Sequence, residues 1–323
     1  MGGFVPISNT GAFTQASANI INNNFSQLGG GVYGPGVNWF LNANGGSDSL
    51  DGNTWGNALH TMREILLRVS SNDNIFFIGQ IREELVAPLG VSNVRIYGAG
   101  TQPRYGNEGS FANPLLDAAS TWRPPASPTA AIPLLRLRQQ GWLLSNILFD
   151  CPVDAAAILM QRAEDATNPD PSHATIQNCR FTDGKNGIED TGGCAGVLVQ
   201  NNVFQRLTGQ GYKVNSTGIA VPLQNRIIGN QFSDCDGGVV GSFAQALIAN
   251  NIFQDGPTHD WTQGVINTIA VAAQGQMNFV INNFTFDIAA DVDPAHGYTG
   301  SSTDVWRTFA SGTADPVVTS PPV

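Results

Sequence analysis

The chain has 323 residues, enough to bury a large core in one or two domains, and 41% of them are hydrophobic. Only 12% are charged, whereas charged residues make up about a quarter of an average globular protein. Together with 37 glycines, this composition favours strands joined by tight turns over amphipathic helices. The formal net charge of −10, with only 15 Lys and Arg residues, argues against binding nucleic acid through its phosphates.

The first residues, MGGFVPISNTGAF, lack the basic segment and apolar core of a secretory signal. No run approaches the roughly 18 apolar residues of a membrane-spanning helix. We therefore expect a soluble protein that is made in a cytosol and has no membrane partner.

Residues 1–36 are predicted to form an N-terminal arm. Within the segment ANIINNNFSQL, a short helix with Ser17 as its candidate cap would carry four apolar residues on one side. These residues are Ile20, Ile21, Phe25 and Leu28. Such an arm is too small to hold a core of its own, so it must pack on the main body or dock on another chain.

A strand, a polar loop and a helix are predicted next, in FLNANGGSDSLDGNTWGNALHTMREIL. The strand is Trp39–Leu41, and the helix lies near residues 55–70 with Thr54 as a candidate N-cap. Apolar residues occur at helical spacing at Ala58, Leu59, Met62, Ile65, Leu66 and Val69. Because the end of a solenoid leaves its last layer uncovered, we predict that this helix caps the first coil.

The loop between strand and helix is rich in residues that favour turns. They are Asn44, Gly45, Gly46, Asp48, Asp51 and Gly52. Their oxygens are of the kind that bind calcium, but the spacing matches no EF-hand. Turn chemistry is the preferred interpretation. We predict no metal ligand and no cofactor.

Strand-like runs resume at Asn74–Gly79 and Val94–Gly98. Residues 99–132 then lose all periodicity and are rich in proline. A stretch of this length inside a regular array is best explained as a lateral loop extending from one coil.

From Trp142 to Phe286 one pattern recurs six times, an aliphatic residue followed by Asn-x-x-Phe. The copies are LLSNILF, TIQNCRF, VLVQNNVF, RIIGNQF, LIANNIF and VINNFTF. Their last residues are Phe149, Phe181, Phe204, Phe232, Phe253 and Phe286. Three residues earlier stand Asn146, Asn178, Asn201, Gly229, Asn250 and Asn283, and five residues earlier stand Leu144, Ile176, Val199, Ile227, Ile248 and Ile281.

These runs are too short and too rich in Ile, Val and Phe for helical repeats. They predict an all-β fold, a single-stranded right-handed parallel β-helix over residues 37–290, with residues 291–323 as a C-terminal extension. Equivalent residues in successive coils would stack about 4.8 Å apart. The aliphatic and Phe residues would form buried columns, and the Asn residues an inward hydrogen-bonded ladder.

The repeat resembles the right-handed parallel β-helix superfamily that includes pectate lyases, from Trp39 to Phe286. The opening segment FLNANGGSDSLDGNTWGNALHTMREIL resembles the strand, loop and capping helix that begin many such domains. This resemblance implies the fold and says little about function.

A second resemblance concerns the two ends. ANIINNNFSQL resembles segments near the start of bacteriophage tail and head appendage proteins, and DVWRTFASGTADP resembles the closing segment of phage-encoded β-helix proteins. These likenesses imply a virion protein whose N-terminal arm anchors on the particle. They also imply a trimer, the usual state of phage β-helix appendages.

Two kinds of enzyme chemistry belong to this fold. A lyase needs carboxylates on adjacent coils to hold calcium and a base to take the proton, and no strand run presents them. A glycosidase needs two carboxylates beside a groove. The pairs in predicted turns are Glu189 with Asp190, Asp165 with Asp170, Asp234 with Asp236, and Asp255 with Asp260, near His259. Turn carboxylates are commonly solvated or capping groups, so we assign no catalytic residue.

Aromatic residues in loops offer a sugar-binding strip without catalysis. The candidates are Tyr105, Trp122 and Trp261, whereas Trp142 begins a predicted core strand. The cysteines Cys151, Cys179, Cys194 and Cys235 have no metal-binding spacing and are interpreted as buried small hydrophobic residues, with disulfides left open.

The sequence therefore predicts a bacteriophage virion structural protein, a head decoration, fibre or tail spike, assembled in the host cytoplasm. Its expected partners are capsid or tail proteins, two further copies of itself and a host surface glycan, with no nucleic acid. The alternative is a tailspike depolymerase that hydrolyses host polysaccharide with paired carboxylates. A secreted bacterial polysaccharide-processing enzyme is disfavoured by the missing signal sequence.

Overall fold

The computed structural model describes residues 36–101, 120–128, 131–161, 171–191, 193–215, 222–254, 256, 265–269, 277–286, 298–300, 304–310 and 317–318. One α-helix, α1 (Met62–Arg68), and one 3₁₀ helix (Trp55–Asn57) lie among many strands in these ranges. The strands, in chain order, are β1 (Asn38–Asn42), β2 (Asn74–Ile78), β3 (Gln80–Arg82), β4 (Leu85–Val86), β5 (Arg95–Gly98), β6 (Thr121–Arg123), β7 (Leu135–Leu137), β8 (Leu143–Ser145), β9 (Leu148–Asp150), β10 (Ala156–Met160), β11 (Thr175–Gln177), β12 (Arg180–Gly184), β13 (Asn186–Asp190), β14 (Leu198–Gln200), β15 (Val203–Val214), β16 (Arg226–Ile228), β17 (Gln231–Ser242), β18 (Leu247–Ala249), β19 (Ile252–Gln254), β20 (Ile266–Ile269), β21 (Phe279–Phe286), β22 (Tyr298–Thr299), β23 (Val305–Ala310) and β24 (Val317–Val318).

Each coil of the chain adds one rung to three parallel faces. The first face contains β1, β2, β5, β8, β11, β14, β16, β18, β21 and β23. The second contains β3, β6, β9, β12, β15, β17, β19 and β21. The third contains β4, β7, β10, β13, β15, β17, β20 and β22. Among the described strands, only β24 pairs antiparallel, with β23. The predicted all-β parallel β-helix is therefore confirmed.

The Phe residues of the repeat form a stacked column inside the second face. Phe149, Phe181, Phe204, Phe232 and Phe253 are all fully buried, and neighbouring rings lie 4.7–4.9 Å apart with planes 7–8° from parallel. This is the spacing of adjacent strands, so each ring covers the next and no gap remains between coils. The aliphatic column predicted on the first face is likewise buried from Leu144 to Ile248.

The sixth copy of the repeat was predicted in the wrong register. Thr285 pairs with Phe253, and Phe286 is 47% exposed on the outer surface. On the first face Val280 pairs with Ile248. In this copy Phe284 occupies the outward position of Ile252, and Thr285 replaces the inward Phe.

The repeated Asn residues lie at a bend between the first and second faces and do not form the inward ladder. Asn146, Asn178, Asn201 and Asn250 have φ values of 53–60°, and Gly229 has a φ of 68°. This left-handed conformation is the one that Asn and Gly adopt most readily, which explains the exception in the fourth copy. In the sixth copy the bend residue is Asn282, with a φ of 53°.

The inward ladder is formed by the residue that follows the bend in the third to sixth copies. Its members are Asn202, Asn230, Asn251 and Asn283, each at most 1% exposed. The backbone N–H and the Nδ2 of Asn202 both donate to Oδ1 of Asn230, over 2.9 and 3.0 Å. The same pair of bonds links Asn230 to Asn251 and Asn251 to Asn283. The ladder thus satisfies polar groups that the bend removes from strand pairing.

The predicted capping helix is present but shorter than expected. Thr61 caps α1 by accepting a hydrogen bond from the backbone of Glu64, whereas Thr54 caps only the 3₁₀ helix. Met62 and Ile65 are fully buried against the core that includes Leu41 of the first strand. The helix therefore covers apolar side chains at the N-terminal end of the solenoid.

Two of the expected segment boundaries differ from the described structure. Residues 121–123 lie inside the predicted lateral loop of residues 99–132, yet they form β6 and pair with β3 and β9. Beyond residue 290, β22 and β23 continue the parallel pairing within the predicted C-terminal extension. The predicted arm of residues 1–36 lies outside the described residues except for Gly36.

Candidate functional site

The polar loop after β1 uses its side-chain oxygens to hold turns and cap the chain. Oδ1 of Asp48 accepts from the backbone of His60 and Thr61, and Oδ2 accepts from the Thr61 hydroxyl, all at 2.9 Å. These bonds outweigh burial and lower the pKa of Asp48. Oδ1 of Asn42 accepts from the backbone of Asn44 and Gly45. The turn chemistry inferred from the sequence accounts for these contacts.

The predicted pair Glu189 and Asp190 lies on a strand and not in a turn. Both belong to β13, where consecutive side chains point to opposite sides. Asp190 is fully buried and accepts a 3.0 Å bond from the backbone of Cys194, whereas Glu189 faces outward and accepts from Nδ2 of Asn186. The two carboxylates therefore do not face a common groove.

The other predicted pairs are only partly described. Asp234 and Asp236 both lie in β17, Asp234 buried and Asp236 half-buried. Asp234 has a φ of 54° and packs closely against Gly256, whose backbone leaves no room for a Cβ. Asp165, Asp170, Asp255, Asp260 and His259 lie outside the described residues.

The structure brings together a different set of charges, which we call the charged ridge. It consists of Arg82, Arg123, Asp150, Asp183, Arg206 and Asp234. The first three occupy neighbouring coils: Arg82 pairs in register with Arg123, and Trp122 pairs with Phe149 immediately before Asp150. Arg123 and Asp150 form an ion pair, with Nε of the arginine 3.0 Å from Oδ2 of the aspartate.

The other part of the charged ridge lies at the bend between the second and third faces. Asp183, Arg206 and Asp234 follow the Phe column two residues later in successive coils, and all have φ values of 53–58°. Arg206 donates from Nε and from one terminal nitrogen to the two oxygens of Asp183, at 2.6 and 2.8 Å. These two hydrogen bonds hold both side chains in a fixed orientation on the outside of the coils.

The pKa values of the charged ridge show which groups are perturbed. Burial raises the pKa of Asp150, and the nearby charge of Asp183 adds to the shift, whereas Arg123 opposes it. The hydrogen bonds that Arg206 donates to Asp183 raise the pKa of Arg206. A carboxyl with a raised pKa beside a second carboxyl is the arrangement from which acid and base roles arise in glycosidases. Here, however, each carboxylate is also held by an arginine.

Asp150 and Asp183 were not among the predicted pairs, because those pairs join carboxylates close to one another in sequence. The available signal was the register of the repeat, since Asp150 follows Phe149 directly and Asp183 follows Phe181 by two residues. Arg123 could not be aligned in this way, because a Trp replaces the Phe in its coil.

The aromatic candidates for sugar binding are not confirmed. Trp122 is fully buried and begins the Phe column, with its ring centroid 5.9 Å from that of Phe149. Trp142 is buried, as predicted. Tyr105 and Trp261 lie outside the described residues. One outward-facing aromatic column consists of Phe40, Phe76 and Tyr97, whose rings stack 5.4–5.5 Å apart and largely cover one another's faces.

All four cysteines are buried and none forms a disulfide. Burial raises the pKa of Cys179 and Cys235 to about 12. Their thiols therefore behave as the small apolar groups that the sequence suggested.

Within the described ranges, no three His, Cys, Asp or Glu side chains come together as metal ligands do. Neither helix in the described part of the chain has the length and apolar character needed to cross a membrane.

Comparison with known proteins agrees with this architecture. Residues 155–289 match the family model of the right-handed β-helix region. Comparison with curated proteins gave no match. Solved structures with a similar fold include the GH136 lacto-N-biosidase from Eubacterium ramulus, at 12% identity and a TM-score of 0.46, covering 83% of this chain and 58% of that one.

Two further structures are similar at the same low level. ORF18 of Geobacillus virus E2 has 11% identity and a TM-score of 0.40, with 97% of this chain and 67% of that one covered. The Dettilon tailspike protein has 12% identity and a TM-score of 0.39, with 84% and 66% covered. This chain thus spans 58% of the lacto-N-biosidase and about two thirds of the two others. The three parallel faces make the described part of the chain a parallel β-helix, and residues 155–289 match the right-handed β-helix region.

Proposed function

We propose that this chain is a bacteriophage virion structural protein, a head decoration, fibre or tail spike, that presents its β-helix outward from the particle. The N-terminal arm of residues 1–36 attaches it to capsid or tail proteins, and three copies associate. Assembly takes place in the host cytoplasm, and a host surface glycan is a further partner.

The observation that carries this proposal is the closing segment of the helix. The sequence DVWRTFASGTADP resembles the end of phage-encoded β-helix proteins, and its first part is the last parallel rung in the described structure. Asp304 accepts hydrogen bonds from the backbone and side chain of Asn278, both at 3.0 Å, and from the Thr268 hydroxyl at 2.7 Å. Trp306 is buried opposite Val280. This segment is therefore held in place by hydrogen bonds and packing on the preceding coil.

The state of the charged groups also supports a structural role. Asp150 and Asp183 are bound to arginines, and Asp190 is buried with a backbone partner. A carboxylate in such contacts contributes to the rigidity of the wall and is poorly placed to take a proton from water.

Particle incorporation tests the proposal. A full-length variant with Ile20, Ile21, Phe25 and Leu28 changed to Ser should fold with the wild-type circular dichroism spectrum but be missing from purified particles by mass spectrometry. A matched control with Asn22, Asn23 and Asn24 changed to Ser should be incorporated normally. Normal incorporation of the first variant would overturn anchoring through the arm.

A polysaccharide depolymerase is the second candidate, and the raised pKa of Asp150 beside Asp183 is the observation that favours it. In that case Asp150 would protonate the leaving oxygen and Asp183 would act as the second carboxylate. Incubation with host capsule or lipopolysaccharide should then release new reducing ends, and Asp150→Asn should abolish the release. If the protein is structural, neither the wild type nor Asp150→Asn should release oligosaccharides.

A further inference from the structure

Two arginines on the third face differ from the arginines of the charged ridge. Arg136 in β7 and Arg138, two residues later, lie on either side of the fully buried Leu137. Because side chains alternate along a strand, both point outward, about 6.5 Å apart. Each side chain is partly buried, and its Nε atom is buried without a hydrogen-bond partner. Within the described part of the chain neither forms an ion pair, whereas Arg123 and Arg206 do.

The outward neighbours of Arg136 carry no negative charge. Val86 on the preceding coil and Leu159 on the following coil stand in register with it. The first described carboxylate along this column belongs to Glu189, two coils away, and it already accepts a hydrogen bond from Nδ2 of Asn186. The column therefore gives Arg136 no carboxylate within one coil on either side.

The coil that holds Arg136 and Arg138 is basic, although the chain is acidic. Its strands are β5, β6 and β7, and its described residues also include Arg95 and Arg123 but no Asp or Glu. The whole chain has a formal net charge of −10. Most of the surface therefore repels an anionic ligand, and this coil supplies the local positive potential that such a ligand needs.

An oxyanion is the ligand that matches two neighbouring guanidinium groups. Arginine carries five N–H donors and no acceptor, and its planar fork fits a carboxylate through two parallel hydrogen bonds. A buried donor without an acceptor costs free energy, and few such donors occur in folded proteins. A carboxylate held between Arg136 and Arg138 would supply acceptors to both side chains.

The apolar residues beside the arginines indicate what kind of molecule carries the oxyanion. Val86 is 44% exposed and lies next to Arg136, and Leu89, three residues further on, is 52% exposed. A small inorganic ion would cover neither side chain. A sugar ring that bears a carboxylate presents C–H groups beside its charge, so it can contact Val86 while the carboxylate binds the arginines. Apolar contact with a few polar groups that fix orientation is typical of ligand sites.

We propose that Arg136 and Arg138 bind the carboxylate of an acidic sugar residue, so that the glycan partner of this protein is a polyanionic polysaccharide. The inference rests on the proposed function, because it gives the chemical class of the host surface glycan named there. The glycan lies along the third face, whereas Asp150 of the charged ridge belongs to the second face. Binding at this site therefore requires no hydrolysis.

Calorimetry with the full-length protein tests the inference. The probe is a trimer of galacturonic acid, and the matched neutral ligand is the same trimer with all its carboxylates converted to methyl esters. Wild-type protein should bind the acidic trimer and not the ester, and added salt should weaken the binding because it screens the charges.

Variants of the two arginines test where the anion binds. Arg136→Gln with Arg138→Gln should weaken the binding of the acidic trimer at least about tenfold, because each removes hydrogen bonds to a charged group. The matched control is Arg226→Gln, which removes the same charge from an exposed position on the first face and should leave the affinity unchanged. Circular dichroism of each variant checks that the β-helix is folded.

Several results would overturn the proposal. Equal binding of the two trimers by wild-type protein, or no binding of the acidic trimer, would do so without any variant. Unchanged affinity of the double variant would mean that the anion binds elsewhere. Displacement of the trimer by an equal concentration of inorganic phosphate would show a site for a free anion and not for a sugar. Binding that appears only after Glu164→Gln with Asp165→Asn would show that the chain's own acidic residues occupy the site.

Particle incorporation of the arm variants remains a separate test of the virion assignment. A protein that joins particles but binds no acidic trimer would contradict only the glycan site. A protein that binds the trimer through Arg136 and Arg138 but is absent from particles would contradict only the virion assignment.

Discussion

The rings of Phe204 and Phe232 lie face to face, with centroids 4.7 Å apart and planes 7° from parallel. Each ring is also stacked on its other side, by Phe181 and Phe253 respectively. A side chain in the middle of this column therefore has no free surface, and the rigid coils above and below cannot close a gap.

Phe204→Ala should lower the free energy of unfolding by about 3–5 kcal/mol, because it removes a fully buried ring and leaves a cavity. Urea unfolding followed by circular dichroism measures the change. Leu67→Ala, at an exposed helix position, is the control and should change stability by less than about 1 kcal/mol. An unchanged urea midpoint for Phe204→Ala would show that the Phe column does not stabilise the β-helix.

The Asn ladder should be as sensitive as the Phe column. Asn230→Ala removes the acceptor of two bonds from Asn202 and the donor of a 2.9 Å bond to the carbonyl of Val199. All of these groups are buried, so the loss should be on the order of 3 kcal/mol or more. Gln231→Ala, the exposed neighbour, is the matched control in the same urea experiment. Equal midpoints for the two variants would contradict a stabilising ladder.

The bend residue in the fourth coil gives a test of backbone conformation. Gly229 has a φ of 68°, and an added Cβ would approach only the movable side-chain oxygen of Asn201, at 2.7 Å. Gly229→Asn should therefore be nearly neutral, whereas Gly229→Val should cost about 1–2 kcal/mol, because a β-branched residue resists the left-handed region. Thermal unfolding of the two variants compares them directly. Similar losses of stability for Gly229→Asn and Gly229→Val would mean that steric crowding, and not the positive φ, limits which residues this position accepts.

The sequence predicted the Phe column correctly because five copies share one register and the residue type is unambiguous. It misplaced the Asn ladder because doublets such as Asn201-Asn202 and Asn250-Asn251 do not reveal which member turns inward. Gly229 distinguishes the two positions, because a glycine in place of the first Asn indicates a positive φ and hence a bend at that position. The sixth copy was predicted in the wrong register for the same reason, because its Asn doublet is followed directly by Phe284.

The charged ridge was beyond the reach of the sequence for a different reason. Its ion pairs join residues of neighbouring coils, such as Arg123 with Asp150 and Asp183 with Arg206, and the loop lengths that separate coils vary. Trp122 was predicted as a surface residue because the segment around it lacks the repeat. The pairing of β6 with β9 shows that the ring of Trp122 belongs to the Phe column. The side chain of the next residue, Arg123, then points to the outer side of the strand.

The last prediction concerns the pH dependence of the charged ridge. Burial raises the pKa of Asp150 above its ordinary value of 3.8, so the folded state binds this proton more tightly than the unfolded state. The contribution of Asp150 to stability is therefore fully present below pH 3.8 and is lost as the pH rises through the higher pKa of the folded state. Asp150→Asn cannot ionise, so its stability relative to wild type should increase across that interval.

Urea unfolding of both proteins at a series of pH values from 3 to 7 measures this difference. Glu64→Gln, which alters a partly exposed ion pair with Arg68 on α1, serves as the control. If the relative stability of Asp150→Asn instead fell as the pH rose, the bond from Arg123 would dominate over burial, and the pKa of Asp150 would lie below its ordinary value. That outcome would also remove the acid role on which the depolymerase alternative depends, because a carboxyl with a lowered pKa holds no proton for the leaving oxygen at neutral pH.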